Sequence, residues 1–374
     1  MKNVKIIKGQ DKTAFYSLDS KKVYLVEGTL HGTNSCDIFS SDHTEIEKEP
    51  IQKKMFCELT TGCNLFCIHC YGNFKEYGTN ELSYKEFKDS IRYFYNRGFK
   101  IVQFTGGEVF LRKELLFKLL SYVITLEVDR IEVFSNLNLL KDEDVMTIKK
   151  INPNIIFRTT IFSHREHTHD TITTVNGSWR KTVNAINLLK LNNFKVEVAL
   201  IIMKENYKEL EDTKRFLSNL AVQFSIDAVR PSGRGSTTSC IEITRKLGFN
   251  TLRTNENGEV IFREYELRNR NKLNSCFSRT IALSSSGLFF PCIFARNIPL
   301  GDIKKDSLST IYKNLKLVAK TYSWKNIKGC NNCPLNVSCK DCRPLVYSLT
   351  GDMSAKNPLC TLESGSLKLE EITI

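Results

Sequence analysis

Nowhere in the chain do about 18 apolar residues run consecutively, which excludes a membrane-spanning helix, and no membrane partner is expected. The opening MKNVKIIKGQDK lacks the apolar stretch and small-residue cleavage site of a secretory signal, so a cytoplasmic protein is expected. Acidic side chains are the minority: 41 Asp and Glu against 54 Lys and Arg leave a net charge of +13. The basic residues nevertheless form no stripe interleaved with aromatics, and runs such as IKK (148–150) and DIKK (302–305) are short and scattered. This argues against a nucleic-acid surface and leaves a solvated basic exterior or an acidic peptide partner.

What the chain holds in excess is cysteine, 13 residues in all. Thiols stay reduced in the cytosol, so many cysteines there point to metal rather than disulfides. Cys63, Cys67 and Cys70 form one group inside LTTGCNLFCIHCYG (59–72). Cys276, Cys292, Cys330, Cys333, Cys339, Cys342 and Cys360 form a second, confined to the last hundred residues. Cys36, Cys57 and Cys240 stand apart and read as small buried apolar residues.

Between 54 and 230 the pattern alternates. Strand-like KMFCELT (54–60), KIVQFT (100–105), RIEVFS (130–135), IIFRTTIF (155–162), KVEVALIIM (195–203) and VQFSIDAV (222–229) are separated by amphipathic helical stretches. Those stretches are 84–98, capped by Ser83 and stopped by Gly98, then 113–126, 143–151, 179–192 and 208–220. Six such units predict an α/β fold with a parallel sheet under covering helices; a partial barrel and an open doubly wound sheet both fit. The loop RPSGRGS (230–236) ends the alternation, and beyond it the chain reads as irregular and cysteine-rich. Ahead of it, AFYSLDSKKVYLVEG (14–28) reads as a hairpin turning at Asp19 and Ser20, with linker through SSDHTEIEKEP. The expected domains are an N-terminal extension (1–53), the β/α domain (54–235) and the cysteine-rich domain (236–374).

A closed zinc site takes four ligands, usually as two cysteine pairs. Cys63, Cys67 and Cys70, spaced CX3CX2C on the loop after the first strand, can instead hold three irons of a [4Fe–4S] cube and leave the fourth iron open. This pattern resembles the signature of the radical S-adenosylmethionine (SAM) enzymes. The resemblance implies a partial (β/α)6 TIM-like barrel whose open iron chelates SAM. One electron, from a donor such as flavodoxin or ferredoxin, would cleave SAM to methionine and a 5′-deoxyadenosyl radical that takes hydrogen from an unactivated carbon. FTGGEVF (104–110) resembles the family's GGE segment: Gly106 and Gly107 let the backbone approach closely, and Glu108 would accept from the SAM ammonium. FSNLNLL (134–140) resembles its TNG segment, making Ser135 and Asn136 candidates to face the SAM ribose or carboxylate. TIFSHREHTHDTIT (160–173) places Thr160 where the family often has serine. His167 and His169 read as loop or solvent residues, and His69 as a packing neighbour of the cluster rather than a ligand.

The C-terminal group reads Cys276, ten residues, Gly287, four residues, Cys292, then CX2CX5CX2C from Cys330 to Cys342, then Cys360. Zinc ribbons space their pairs more widely, and seven cysteines do not divide into fours. The set resembles the seven-cysteine SPASM domain that follows the barrel in many radical SAM enzymes, departing from it by one residue between Cys339 and Cys342. Carried over, Cys330, Cys333, Cys339 and Cys360 would hold one auxiliary [4Fe–4S] cluster. Cys276, Cys292 and Cys342 would hold another, its fourth ligand being water, Cys240 or a substrate thiolate. That makes three clusters in all.

SPASM relatives mostly modify ribosomally made peptides, so the expected activity is maturation of a precursor peptide. Thioether formation or another crosslink comes first, with epimerisation as an alternative. Ile293 stands where sulfatase-maturating relatives place an Asp base, which disfavours formylglycine formation. A non-catalytic iron–sulfur carrier would have no need of a GGE segment beside an incompletely ligated cluster. The N-terminal hairpin would hold an acidic leader segment by strand addition.

Overall fold

The first fifty residues fold as more than a hairpin. Strands β2 (Lys12–Ser17) and β3 (Lys22–Glu27) pair antiparallel with Ser17 opposite Lys22, as the sequence predicts. Strand β1 (Val4–Lys8) adds to the free side of β2, and β4 (Thr44–Glu47) to that of β3. The stretch read as linker therefore contains a strand; TEIE is too short for its two-residue period to stand out. The computed structural model describes residues 4–8, 12–17, 22–27, 44–47, 52–230, 232–237, 262–331, 333, 336 and 338–360. Asp19, Ser20, Cys36 and Cys240 lie outside these, so the hairpin turn and two of the three isolated cysteines do too. Two units make up the chain: one comprises 1–51, 248–278 and 316–374, the other 52–247 and 279–315.

In the second unit, strands β5 (Lys54–Glu58), β6 (Ile101–Thr105), β7 (Arg130–Phe134), β8 (Ile156–Thr160), β9 (Lys195–Ile202) and β10 (Gln223–Ala228) are all parallel. Their order in the sheet is the order in the chain, so the winding never reverses. A doubly wound sheet has a reversal; its absence among these six strands decides for the partial barrel. The connecting helices are α1 (Tyr84–Tyr95), α2 (Lys113–Ile124), α3 (Asp142–Ile151), α4 (Glu166–Thr173), α5 (Ser178–Leu191) and α6 (Leu210–Asn219). Helix α1 begins at a reciprocal capping box between Ser83 and Glu86 and buries Phe87, Ser90, Ile91 and Phe94, one face at helical spacing. Every residue of β6 is buried, as expected for a parallel strand covered on both faces. Cys57 is fully buried in β5, the packing role expected of it.

Three further strands extend this sheet. Strand β11 (Phe262–Arg263) belongs with β4 in the other unit, but β12 (Thr280–Leu283) runs parallel to β5. Strands β13 (Leu288–Phe290) and β14 (Gly301–Asp302) then follow antiparallel. These runs of two to four residues carry too little pattern to be seen in the sequence. Helices α7 (Glu264–Asn269), α8 (Leu308–Thr321) and α9 (Arg343–Thr350) complete the described elements. Among the described residues no helix is long and apolar enough to cross a membrane.

Helix α4 corrects one expectation. His169 is buried, not in a loop or solvent: its Nδ1 accepts the Phe162 N–H at 3.3 Å and its ring packs 5.2 Å from that of Phe162. Burial drives its pKa down to about 4, which keeps the ring neutral. His167, two positions on the outer side, is exposed.

Candidate functional site

The cysteine loop leaves β5 at its carboxyl end, where barrels and open α/β sheets place their chemistry. Its conformation is fixed from outside. The Cys63 N–H donates to the Lys75 carbonyl at 3.0 Å and the Lys75 N–H to that of Thr61 at 3.1 Å. The Phe66 N–H donates to the Thr173 carbonyl at 3.1 Å and the Ile68 N–H to that of Ile172 at 3.0 Å, so the end of α4 braces the far side. Glu81 accepts from the Thr60 hydroxyl at 2.9 Å and the Thr61 N–H at 2.8 Å.

Cys63, Cys67 and Cys70 are free thiols within each other's electrostatic reach. Burial pushes the Cys63 thiol up to about 11 and Cys67 higher still, with the neighbouring thiols adding to the shift and the Arg234 guanidinium opposing it. Among the described residues, no three His, Cys, Asp or Glu side chains converge closely enough to hold a single metal ion. Three cysteine thiols on one loop are the donor type that holds iron–sulfur clusters. The donor set therefore fits the iron–sulfur cluster that the spacing implies.

The GGE segment is built against the same loop. The Gly107 N–H donates to the Thr60 carbonyl and the Glu108 N–H to the Gly62 carbonyl, both at 2.8 Å. Gly106 takes a φ of +135° and a Cβ there would sit 2.6 Å from the Thr60 oxygen, while a Cβ on Gly107 would drive into the Gly62 oxygen. Only glycine allows this approach. Glu108 is fully buried and faces its own chain: it accepts from the Ser135 hydroxyl at 2.7 Å, the Asn136 N–H at 2.8 Å and the Phe110 N–H at 3.0 Å. Burial raises its pKa against the pull of these donors.

Ser135 is spent in the same way, its oxygen also accepting the Leu137 N–H at 2.8 Å. Asn136 reaches the cysteine loop, its Nδ2 lying 2.9 Å from Asn64 Oδ1 and 3.9 Å from Cys63 Sγ. Leu137, where the family segment has glycine, is buried with a φ of +65°, a strained backbone that these contacts hold in place. Thr160 closes β8, half-buried at its carboxyl end.

Residues without any local signal complete this site. Glu58, buried at the end of β5, accepts from the Tyr71 hydroxyl at 3.0 Å and pairs with Arg296. The Arg296 guanidinium stands 5.4 Å from the Tyr71 ring and 5.5 Å from that of Phe74. Tyr71 directly follows Cys70, the one hint the sequence offered. His69 packs edge-on against Phe162 with centroids 4.8 Å apart, and burial lowers its pKa to about 4.

In the other unit, Cys330 lies within electrostatic reach of Cys333 and Cys360, and Cys339 of Cys330 and Cys360. Cys330 packs with Trp324, Ile327 and Cys339, and burial pushes its thiol up to about 11 and that of Cys339 to about 12. Buried Arg270 donates to the Cys339 carbonyl at 2.9 Å and lies over the Trp324 ring at 4.2 Å. Cys276 and Cys342 belong to this unit and Cys292 to the barrel unit. Cys342 forms the N-cap of α9, and Ile293 directly follows Cys292.

Residues 57–217 match the radical SAM superfamily and residues 276–343 match the SPASM family, described as an iron–sulfur cluster-binding domain. The chain is 27% identical over 286 residues to the antilisterial bacteriocin subtilosin biosynthesis protein AlbA of Bacillus subtilis, covering 74% of this chain and 62% of that one. It is 25% identical over 343 residues to an AdoMet-dependent heme synthase of Methanosarcina barkeri, covering 82% and 96%. The fold superposes on Streptococcus suis SuiB bound to S-adenosylmethionine with a TM-score of 0.62 at 14% identity, covering 83% and 78%.

Proposed function

The chain carries a radical SAM domain followed by a SPASM iron–sulfur domain, and on that premise we propose that it matures a ribosomally made precursor peptide by forming a thioether or another crosslink. Cys63, Cys67 and Cys70 hold a [4Fe–4S] cluster with one open iron for SAM. Cys330, Cys333, Cys339 and Cys360 hold an auxiliary cluster. When bound, the first cluster and SAM supply one-electron cleavage to a hydrogen-abstracting 5′-deoxyadenosyl radical.

The observation that carries the reading is the bracing of the cysteine loop by the GGE segment. Backbone bonds from Gly107 and Glu108 to Thr60 and Gly62 fix the carbonyls that open the loop, so the thiols are preorganised before any metal arrives. Glu108 acts by positioning: three donors of its own chain hold it, and it ties Ser135 and Asn136 to the loop. Asn136 directs its amide toward Cys63 Sγ, where a donor stabilises a metal-bound thiolate. Gly106 and Gly107 leave their backbone, with Thr160, to line the SAM pocket.

Two features favour a peptide substrate: the likeness to AlbA, which serves bacteriocin biosynthesis, and the N-terminal sheet, which has β1 at its edge. An edge strand offers backbone groups to an added peptide strand, and the +13 charge favours an acidic leader. Incubating the anaerobically reconstituted protein with SAM, reductant and the small peptide encoded beside its gene tests this. Loss of two hydrogens from the peptide is expected; unchanged mass with solvent deuterium uptake would mean epimerisation, and neither change would refute the proposal. Slower hydrogen exchange over Val4–Lys8 on adding the peptide checks the leader site, and unaltered exchange there rejects it. A heme-forming reaction is the second reading, favoured by the 96% coverage of the heme synthase. It predicts conversion of a tetrapyrrole with the peptide untouched.

A further inference from the structure

The sequence RPSGRGS marks the end of the β/α alternation by its composition, and its Gly233, Arg234 and Gly235 lie against the cysteine loop. The Arg234 Nε donates to the Cys67 carbonyl at 2.9 Å, and the Arg234 backbone N–H donates to the Cys70 carbonyl at 2.9 Å. Its other two nitrogens reach the Phe74 carbonyl at 3.0 Å and Asn73 Oδ1 at 3.3 Å. The guanidinium carbon stands 3.8 Å from the centroid of the Phe66 ring. One side chain thus touches the cysteine loop at four residues from 66 to 74. The flanking glycines permit the approach: Gly233 takes a φ of +56° and a Cβ on it would collide with the Cys70 carbonyl, while a Cβ on Gly235 would sit 2.9 Å from the His69 carbonyl.

We propose that Arg234 is a positioning residue for the SAM-binding cluster, holding the cysteine loop by its planar fork and raising the cluster's reduction potential by its charge. The inference rests on the function proposed above. Arginine suits the first task because its donors are fixed in a plane and can serve several carbonyls at once, which a lysine ammonium cannot do in the same geometry. The second follows because a cubane held by three thiolates becomes more negative on reduction, and a nearby cation favours the more negative state.

The test uses the full chain, reconstituted anaerobically, with the variants R234Q and R234K. The readouts are the midpoint potential of the reduced-cluster EPR signal that changes on adding SAM, and the rate of iron loss to a chelator. R234Q is expected to lower the equilibrium constant for reduction about tenfold, about 59 mV for a one-electron couple. R234K, which keeps the charge and loses the fork, is expected to hold the midpoint while releasing iron faster than the wild type. A wild-type midpoint in R234Q overturns the proposal. Should R234Q fail to assemble its cluster, R234K decides alone: faster iron loss at an unchanged midpoint supports the proposal, and wild-type iron retention overturns it. A wild-type protein without any SAM-responsive signal overturns the underlying function and this inference with it, whereas a responsive wild type with an unaltered R234Q overturns the inference only.

Discussion

Replacing Gly107 with alanine would set a methyl group against the Gly62 carbonyl oxygen, where the backbone has no room to give. The cysteine loop must then move, at a cost of about 1–3 kcal/mol for overpacking. The expected result is a folded protein by circular dichroism that binds iron in its C-terminal cysteines and loses the SAM-responsive EPR signal. Retention of that signal would contradict the account of the loop. At this scale the sequence was legible where the signal is local: CX3CX2C and the GGE segment each lie within eight residues. It was not legible where partners are remote. Arg234 lies 167 residues from Cys67, and Arg296 lies 238 from Glu58, so neither pair leaves a pattern in any window. Glu108 was legible as a conspicuous carboxylate, but not that three donors of its own chain would hold it.

Among the elements, the strands are tied by a charged cluster as well as by apolar packing. Glu132 in β7 is fully buried and pairs with Lys54 of β5 at 2.8 Å, Arg130 at 2.7 Å and Arg158 of β8 at 3.4 Å. Substituting Glu132→Ala leaves these cations without their shared partner and should cost about 3–5 kcal/mol, read from denaturant unfolding. A loss under 1 kcal/mol would show that water reaches the cluster.

The join between α4 and α5 makes a second prediction. Asp170 accepts from the Gly177 N–H at 2.6 Å, the Ser178 hydroxyl at 2.7 Å and the Trp179 N–H at 2.8 Å. Burial raises its pKa, but these donors outweigh it and hold the carboxyl below its ordinary value. A depressed carboxylate contributes stability above its unfolded pKa of about 3.9, and loses it as pH falls through the folded value. Asp170→Ala should therefore cost about 1–3 kcal/mol at pH 7, with a smaller difference from the wild type below pH 3. An equal loss at both pH values would reject the charge-assisted role. The strands and the amphipathic helices were legible because each repeats its period several times. Helix α4 was not, since HTHDTIT carries few apolar residues and its burial depends on the cysteine loop it supports.

At the scale of the whole chain there are two cysteine groups, which about two hundred residues of sequence separate, Cys70 and Cys276 being the nearest members. The second group was legible by spacing, and Cys330, Cys333, Cys339 and Cys360 fall in one unit. The N-terminal sheet was only half legible, because β1 and β4, of five and four residues, are too short for a two-residue period to stand out. The same plan recurs in both units: an arginine from outside the cysteine motif donates to a cysteine carbonyl, Arg234 to Cys67 and Arg270 to Cys339. These arrangements matter only if the first cysteine loop serves SAM. The most direct measurement is to reduce the anaerobically reconstituted protein in the presence of SAM and assay the nucleoside formed. Formation of 5′-deoxyadenosine, abolished by Cys67→Ala, is the predicted result; a fully iron-loaded protein that leaves SAM intact would contradict the account.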